Sequence, residues 1–151
     1  MPKKKKAKPE LVIIKGPHPK LLRKSISVTD YEGVYMVAKE MFRLMYKNKG
    51  IGLAAPQVGM TRRFFIIDVG EGSKLGKQLI INPEIIEVGE AVDGVEGCLS
   101  FPGKIVGVVR PEKVKFRFED AARSIHEVEV EGLEARCVLH EYDHLEGKVI
   151  F

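Results

Sequence analysis

The five residues His140-Glu141-Tyr142-Asp143-His144 constrain this chain more than any other stretch. On a helix, side chains four apart stand one above the other, so both imidazoles can reach one metal ion while Glu141 lies beside them to take a proton from water. Leu133, Cys137, His140, Glu141 and His144 recur at helical spacing, and Gly147 follows as a stop. A helix is therefore predicted from about residue 133. Such strings also occur on ordinary surface helices, so the motif needs partners. A hydrolytic site takes three protein ligands and one open position. The sequence ends at Phe151, seven residues after His144, and Glu146 falls on a different helical face. The third ligand must come from upstream.

Cys98 is the candidate, in Glu96-Gly97-Cys98-Leu99-Ser100, 42 residues before His140 (140 − 98). A lone cysteine is most often a small buried hydrophobe. Cys98, however, follows Gly97 and is placed by the pattern in a loop between strands, unlike a core position. The only other cysteine is Cys137. One pair allows at most one disulfide, and thiols near histidines suggest metal or catalysis first. Gly50-Ile51-Gly52-Leu53-Ala54-Ala55-Pro56-Gln57-Val58-Gly59 is a third notable segment. Its glycines and alanines permit close backbone approach, either to a ligand or within a tightly packed loop. Gln57 brings an amide donor into an otherwise small, apolar stretch.

The rest of the chain reads as scaffold. Residues 11–14 read as a short apolar strand, broken by Gly16-Pro17-His18-Pro19. Thr29-Asp30-Tyr31-Glu32 matches a capping box. Tyr31, Val34, Tyr35, Ala38, Met41, Phe42 and Met45 then form a core stripe on a helix over residues 31–46. Strands are predicted at 63–69, at 78–81 with a continuation over 83–88 beyond a kink, and at 113–119 and 126–131, with a turn at 120–124. Residues 148–151 read as a closing strand. With no linker or repeat, residues 11–151 form one α+β domain: mostly antiparallel β-sheets around the C-terminal helix, with a second helix near the N-terminus.

The formal charge of +4 hints at nucleic acid, but Lys3, Lys4, Lys5, Lys6 and Lys8 carry it. The 25 basic residues less these five leave 20 against 21 acidic. The basicity is thus a tail, not a face, and no specific nucleic-acid partner is expected. Residues 1–10 are expected to be a solvated, disordered extension, with ribosomal RNA or anionic lipid as what such a tail could touch. No apolar run approaches the roughly 20 residues that span a bilayer, so no membrane partner is expected. A cytoplasmic monomer is expected.

GIGLAAPQVG, EGCLS and HEYDHLEG, in this order and spacing, resemble the three signature motifs of the peptide deformylase family. The likeness runs from Pro19-Lys20-Leu21-Leu22-Arg23 to Phe151. It implies a hydrolase that removes the formyl group from N-formylmethionyl nascent peptides and releases formate. Cys98, His140 and His144 would bind one divalent ion, typically Fe²⁺, with Ni²⁺, Co²⁺ or Zn²⁺ able to replace it. Glu141 would be the general base and then the acid. Gln57 and the Leu99 backbone amide would hold the oxyanion. Gly50, Ile51, Gly52, Leu133 and Cys137 would contact substrate, Ile51, Leu133 and Cys137 by lining the methionine pocket. Arg110 is a partner for Glu96 or Asp143, and the sequence does not choose between them. His18 and His126 are not expected to be ligands.

Two departures stand out. Leu139 occupies the position before the first histidine where the family usually has Gln, so hydrogen bonding near the helix is expected to differ. Bacterial members commonly continue into a C-terminal extension that helps dock on the ribosome, whereas this sequence stops at Phe151. Transient ribosome contact, if made, would then fall to the lysine tail. Two other readings stay open at this point, a metallopeptidase that cleaves internal bonds and a binding module without turnover.

Overall fold

A computed structural model describes residues 10–151; the lysine tail lies outside the described residues. After an extended start and a 3-10 turn at Pro19–Leu22, helix α1 spans Tyr31–Lys47. Its N-cap is Asp30, whose carboxylate accepts from Gly33 N at 2.9 Å, and not Thr29 as the capping-box spacing suggested. A carboxylate at the positive end of the helix dipole satisfies the same orphan amides one residue later. Val34, Ala38, Met41, Phe42 and Met45 are buried as the stripe predicts. Tyr35 is not: it faces solvent, with the Lys39 ammonium 4.7 Å from its ring centre.

Strands β1 (Gly52–Ala54), β2 (Phe64–Asp68) and β3 (Lys77–Val88) follow, with a 3-10 turn at Ala55–Val58 after the first. Next come β4 (Ala91–Val92), β5 (Val95–Cys98), β6 (Phe101–Gly107) and β7 (Arg110–Pro111), then β8 (Lys113–Glu119), β9 (Ile125–Glu131) and helix α2 (Gly132–Leu145). One antiparallel sheet runs β1-β2-β3-β8-β9, and β4-β7 and β5-β6 form two small ribbons. Residue 82 is the expected kink in β3: Asn82 adopts φ 49°, and the pairing with β8 shifts there.

The sheet lies between the two helices, which is why β2 is apolar at every position but its last. Phe64 and Ile66 join the cluster containing Val34, Met41 and Met45 of α1. Phe65 and Ile67 join the opposite cluster, with Ala135, Val138 and Leu145 of α2. A strand covered on both faces loses the alternation of a half-exposed one. Leu139 belongs to this second cluster, so the position expected to alter local hydrogen bonding is an apolar packing site. At the β9–α2 junction Gly132 takes φ 62°, which an L side chain rarely adopts. That reversal lays α2 back across the sheet.

Three local expectations are corrected. Residues 11–14 pair with no strand among the described residues, although Ile14 N donates to Gln57 O at 2.7 Å. Residues 148–151 form no strand either; the Phe151 ring packs on Phe101, 5.3 Å between centroids, so an aromatic contact holds this end without a ladder. Cys98 is not in a loop but ends β5.

Candidate active site

Two elements supply the chemistry. Helix α2 stacks His140 and His144, whose ring centroids are 5.0 Å apart. The end of β5 brings in Cys98, and the ligand atoms of all three residues lie within 4.8 Å of one another. Cys98 Sγ is 3.4 Å from His144 Nε2. A thiolate and an imidazole bound to one tetrahedral ion at 2.3 and 2.0–2.1 Å stand about 3.5 Å apart. The donor set therefore fits a four-coordinate divalent ion.

Glu96 holds this arrangement in place. It accepts from Arg110 through both carboxylate oxygens at 2.6 and 2.9 Å, from Arg136 at 2.7 Å, and faces His140 Nδ1 at 2.8 Å. That last contact keeps the His140 proton on Nδ1 and leaves the Nε2 lone pair for the centre. Arg110 also donates to Asp143 at 2.8 Å, so it serves both partners between which the sequence could not choose. The roles of Glu96 toward His140 and of Arg136 were missed. Only once the segment is known to be strand β5 does the alternation that puts Glu96 on the same face as Cys98 apply. Removing one member of such a buried ion cluster costs about 3–5 kcal/mol. Glu96→Gln keeps the volume and weakens the charge-assisted bonds. It is expected to lower metal affinity 10- to 100-fold with helix content unchanged, read by competition against a chelator.

Gln57 is anchored by its carbonyl, which accepts from Ala54 N at 2.9 Å. Its amide nitrogen is thereby directed toward Ser100 Oγ at 3.2 Å and Cys98 Sγ at 3.6 Å. Leu99 follows Cys98 in the turn between β5 and β6.

Electrostatics suit proton transfer. Burial pushes the Glu141 carboxyl up to about 7, although His140 and Arg110 pull the other way. Burial opposes charge on His140, but Glu141, Cys98 and Glu96 outweigh it and raise that imidazole to about 10. Burial, then His140 and Arg110, lower His144 to about 3. Glu96 drops to about 2 despite its burial, because His140 and Arg110 favour the anion. One positive charge is stabilised among these groups, and a bound cation can take the place of the proton. The buried His144 Nδ1 has no hydrogen-bond partner among the described residues. Nothing but Cys98 at Nε2 therefore engages that ring through a hydrogen bond.

These groups line a cleft of about 630 Å³, together with Gly50, Ile51, Gly52, Leu133 and Cys137. Of the expected site residues, only the fully buried His144 stands behind its wall. Ile51 is 39% and Leu133 58% exposed, while Cys137 is buried with its thiol 3.6 Å from Ile51 O. A Cβ on Gly52 would come within 2.8 Å of both Cys137 Sγ and Glu141 Oε2. Gly52→Ala is therefore expected to displace the carboxylate and cut kcat about 100-fold, checked by steady-state kinetics alongside thermal unfolding. His18 caps the first 3-10 turn and His126 pairs with Asp120 at 2.8 Å; neither approaches the centre.

A family model described as Polypeptide deformylase matches residues 11–151. The chain belongs to the polypeptide deformylase family. It is 41% identical over 148 residues to a peptide deformylase of Prochlorococcus marinus strain AS9601, covering 96% of this chain and 74% of that protein. It is 51% identical over 108 residues to one from Agathobacter rectalis, covering 72% and 66%. Among solved structures, peptide deformylase from Thermotoga maritima superposes with a TM-score of 0.89 at 38% identity, covering 95% of this chain and 96% of that one. The Ehrlichia chaffeensis peptide deformylase in complex with actinonin gives 0.86 at 36% identity, covering 92% and 85%. Removal of the formyl group from nascent polypeptides follows from membership, as does the enzyme class. Peptide deformylases are metalloenzymes, and this chain carries a Cys–His–His group suited to a metal. Among the described residues no helix is long and apolar enough to cross a membrane.

Proposed function

We propose that Cys98, His140 and His144 hold one divalent ion on which deformylation of N-formylmethionyl peptides by this chain depends. The carrying observation is the 3.4 Å approach of Cys98 Sγ to His144 Nε2, inside a three-donor group of which Cys98 and His140 line the cleft. A thiolate with two imidazoles suits Fe²⁺, Ni²⁺, Co²⁺ and Zn²⁺ alike, and Fe²⁺ is the ion proposed for the cell. Bound there, the ion would act as a Lewis acid and lower the pKa of a water in its open position toward about 7.

The chain's own residues do the rest. Glu141, buried beside His140, accepts a proton from the attacking water and returns it to the departing methionine nitrogen. The Gln57 amide, aimed by its bond to Ala54 N, and the Leu99 backbone amide donate to the oxygen of the formyl group as charge develops. The carbon–nitrogen bond breaks, giving formate and a free amine. Ile51, Leu133 and Cys137 receive the methionine side chain, and Gly50 and Gly52 let the peptide backbone approach. The enzyme acts as a monomer in this reading. The proposal places the enzyme in the cytoplasm, in transient contact with the ribosome.

Formate release from formyl-Met-Ala-Ser by protein purified without oxygen, with metal analysis of the same sample, tests this reading. About one ion per chain and release dependent on it are expected. Turnover unaffected by full metal removal, or equal cleavage of unformylated peptide, would overturn it.

A further inference from the structure

The cleft is charged unevenly in a way that the hydrolysis itself does not require. Lys15, Lys49 and Lys104 line it from three separate segments, and all three are exposed. Among the described residues none of them forms an ion pair. The carboxylates lining the same cleft are Glu96 and Glu141, both buried, the first held by two arginines and His140 and the second assigned to proton transfer. Its exposed charge is therefore wholly positive.

Lys15 touches Leu99, and Lys49 and Lys104 line the cleft from segments that border the Leu99 turn. Lys15 Nζ donates to Leu99 O at 3.3 Å. Lys49 precedes Gly50, where an added Cβ would lie 2.6 Å from the Leu99 side chain. The Lys104 ammonium stands 5.9 Å from the centre of the Phe151 ring, which packs on Phe101 just past Leu99. Leu133 marks the other limit, because it also lines a second hollow of about 570 Å³ with the opposite charge. There Glu71, Glu129, Glu131 and Glu134 line the wall with a single basic residue, Lys74, and Glu131 also pairs with Lys113 at 3.6 Å.

We infer that the cleft selects formyl-methionyl peptides carrying an acidic side chain in the residues directly after methionine, with Lys49 and Lys104 as the discriminating groups. The inference rests on the deformylase reading above. A formyl carbon placed among Cys98, Gln57 and His140 lies against the Leu99 turn. Each further residue advances the chain by at most about 3.6 Å, so the next one or two pass the lysine corner. The acidic hollow lies across Leu133, on the far side of the methionine pocket. Lysine is a compact point charge on a flexible stem, without the fork that reads one carboxylate geometry. The preference is therefore graded, tolerant of Asp or Glu, and screened by salt. Charges remote from the reacting carbon interact equally with the ground and transition states, so the effect falls on KM and leaves kcat nearly constant.

The metal-loaded enzyme is assayed with formyl-Met-Asp-Ala, formyl-Met-Ala-Ala and formyl-Met-Lys-Ala, at low salt and at about 1 M salt, where the screening length is near 3 Å. At low salt kcat/KM is expected to be about fivefold to tenfold higher for the acidic than for the basic peptide, carried by KM. The ratio should fall toward one in high salt. It should also fall toward one in the Lys49→Gln/Lys104→Gln variant and invert in Lys49→Glu/Lys104→Glu. A ratio within twofold of one in the unaltered enzyme, or a ratio that survives high salt or either double substitution, overturns the inference. So does a double variant that keeps the peptide ratio and loses ribosome binding, which would assign the lysines to RNA. The neutral peptide separates the two levels: without formate from formyl-Met-Ala-Ala the deformylase reading itself fails, whereas its turnover with a flat ratio removes only the selectivity.

Discussion

Glu141→Gln is expected to leave metal content near one ion per chain while lowering kcat about 1000-fold, within the 10²–10⁴ range for a positioned proton carrier. The substitution preserves shape in a pocket where the side chain is 2% exposed, so packing against Gly52 is retained. What it removes is the ability to bind and release a proton. Burial holds the Glu141 carboxyl at about 7, near the pH at which it must do both. Because Glu141 is not one of the three close donors, the ligand set is untouched. Metal analysis and formate release on the same preparation check the prediction. Loss of the ion together with activity would mean that Glu141 ligates, and full activity would mean that another group moves the proton.

Cys98→Ala should have the larger effect, with metal below a tenth of an ion per chain and kcat/KM down by more than about 10⁴. Two imidazoles remain, but the only anionic ligand is gone, and a dipositive ion loses both a bond and its charge neutralisation. The fold should survive, since Cys98 is half-buried at the end of β5 and belongs to neither apolar cluster. Far-ultraviolet circular dichroism and a chelator titration would separate the two losses. Stoichiometric metal with normal turnover in this variant would refute the ligand assignment.

Much of this site was legible because its logic is local. The four-residue spacing of His140 and His144 on a helix needs nothing outside α2, and the Glu96-Gly97-Cys98 segment stood out by its own composition. The helix stripe and the β8–β9 alternation were equally local, each set by one buried face. What failed was also local in origin but decided by competition. Asp30 displaced Thr29 as the cap, and residues 148–151 were held by the Phe151 ring on Phe101 instead of a strand ladder. Small residues hid β1, because Gly52 and Ala54 carry no strand signal, and a glycine is required there by Cys137 and Glu141, which lie far along the chain.

Sequence by itself determined the chemistry available to this protein: which side chains can bind a metal, which can carry a proton, and that two of the proposed ligands share a helix face. Only the tertiary structure decided how those groups are tuned and what surrounds them. Glu96 collects Arg110, Arg136 and His140 from separate elements, and burial moves Glu141 toward neutrality. Charge shows the division most plainly. A count over the chain locates its excess in the tail and leaves a nearly neutral body, yet folding segregates that body into a basic corner at Leu99 and an acidic hollow past Leu133. Composition sums charges without regard to distance, whereas electrostatic energy depends on separation and burial, and those exist only once the chain has folded.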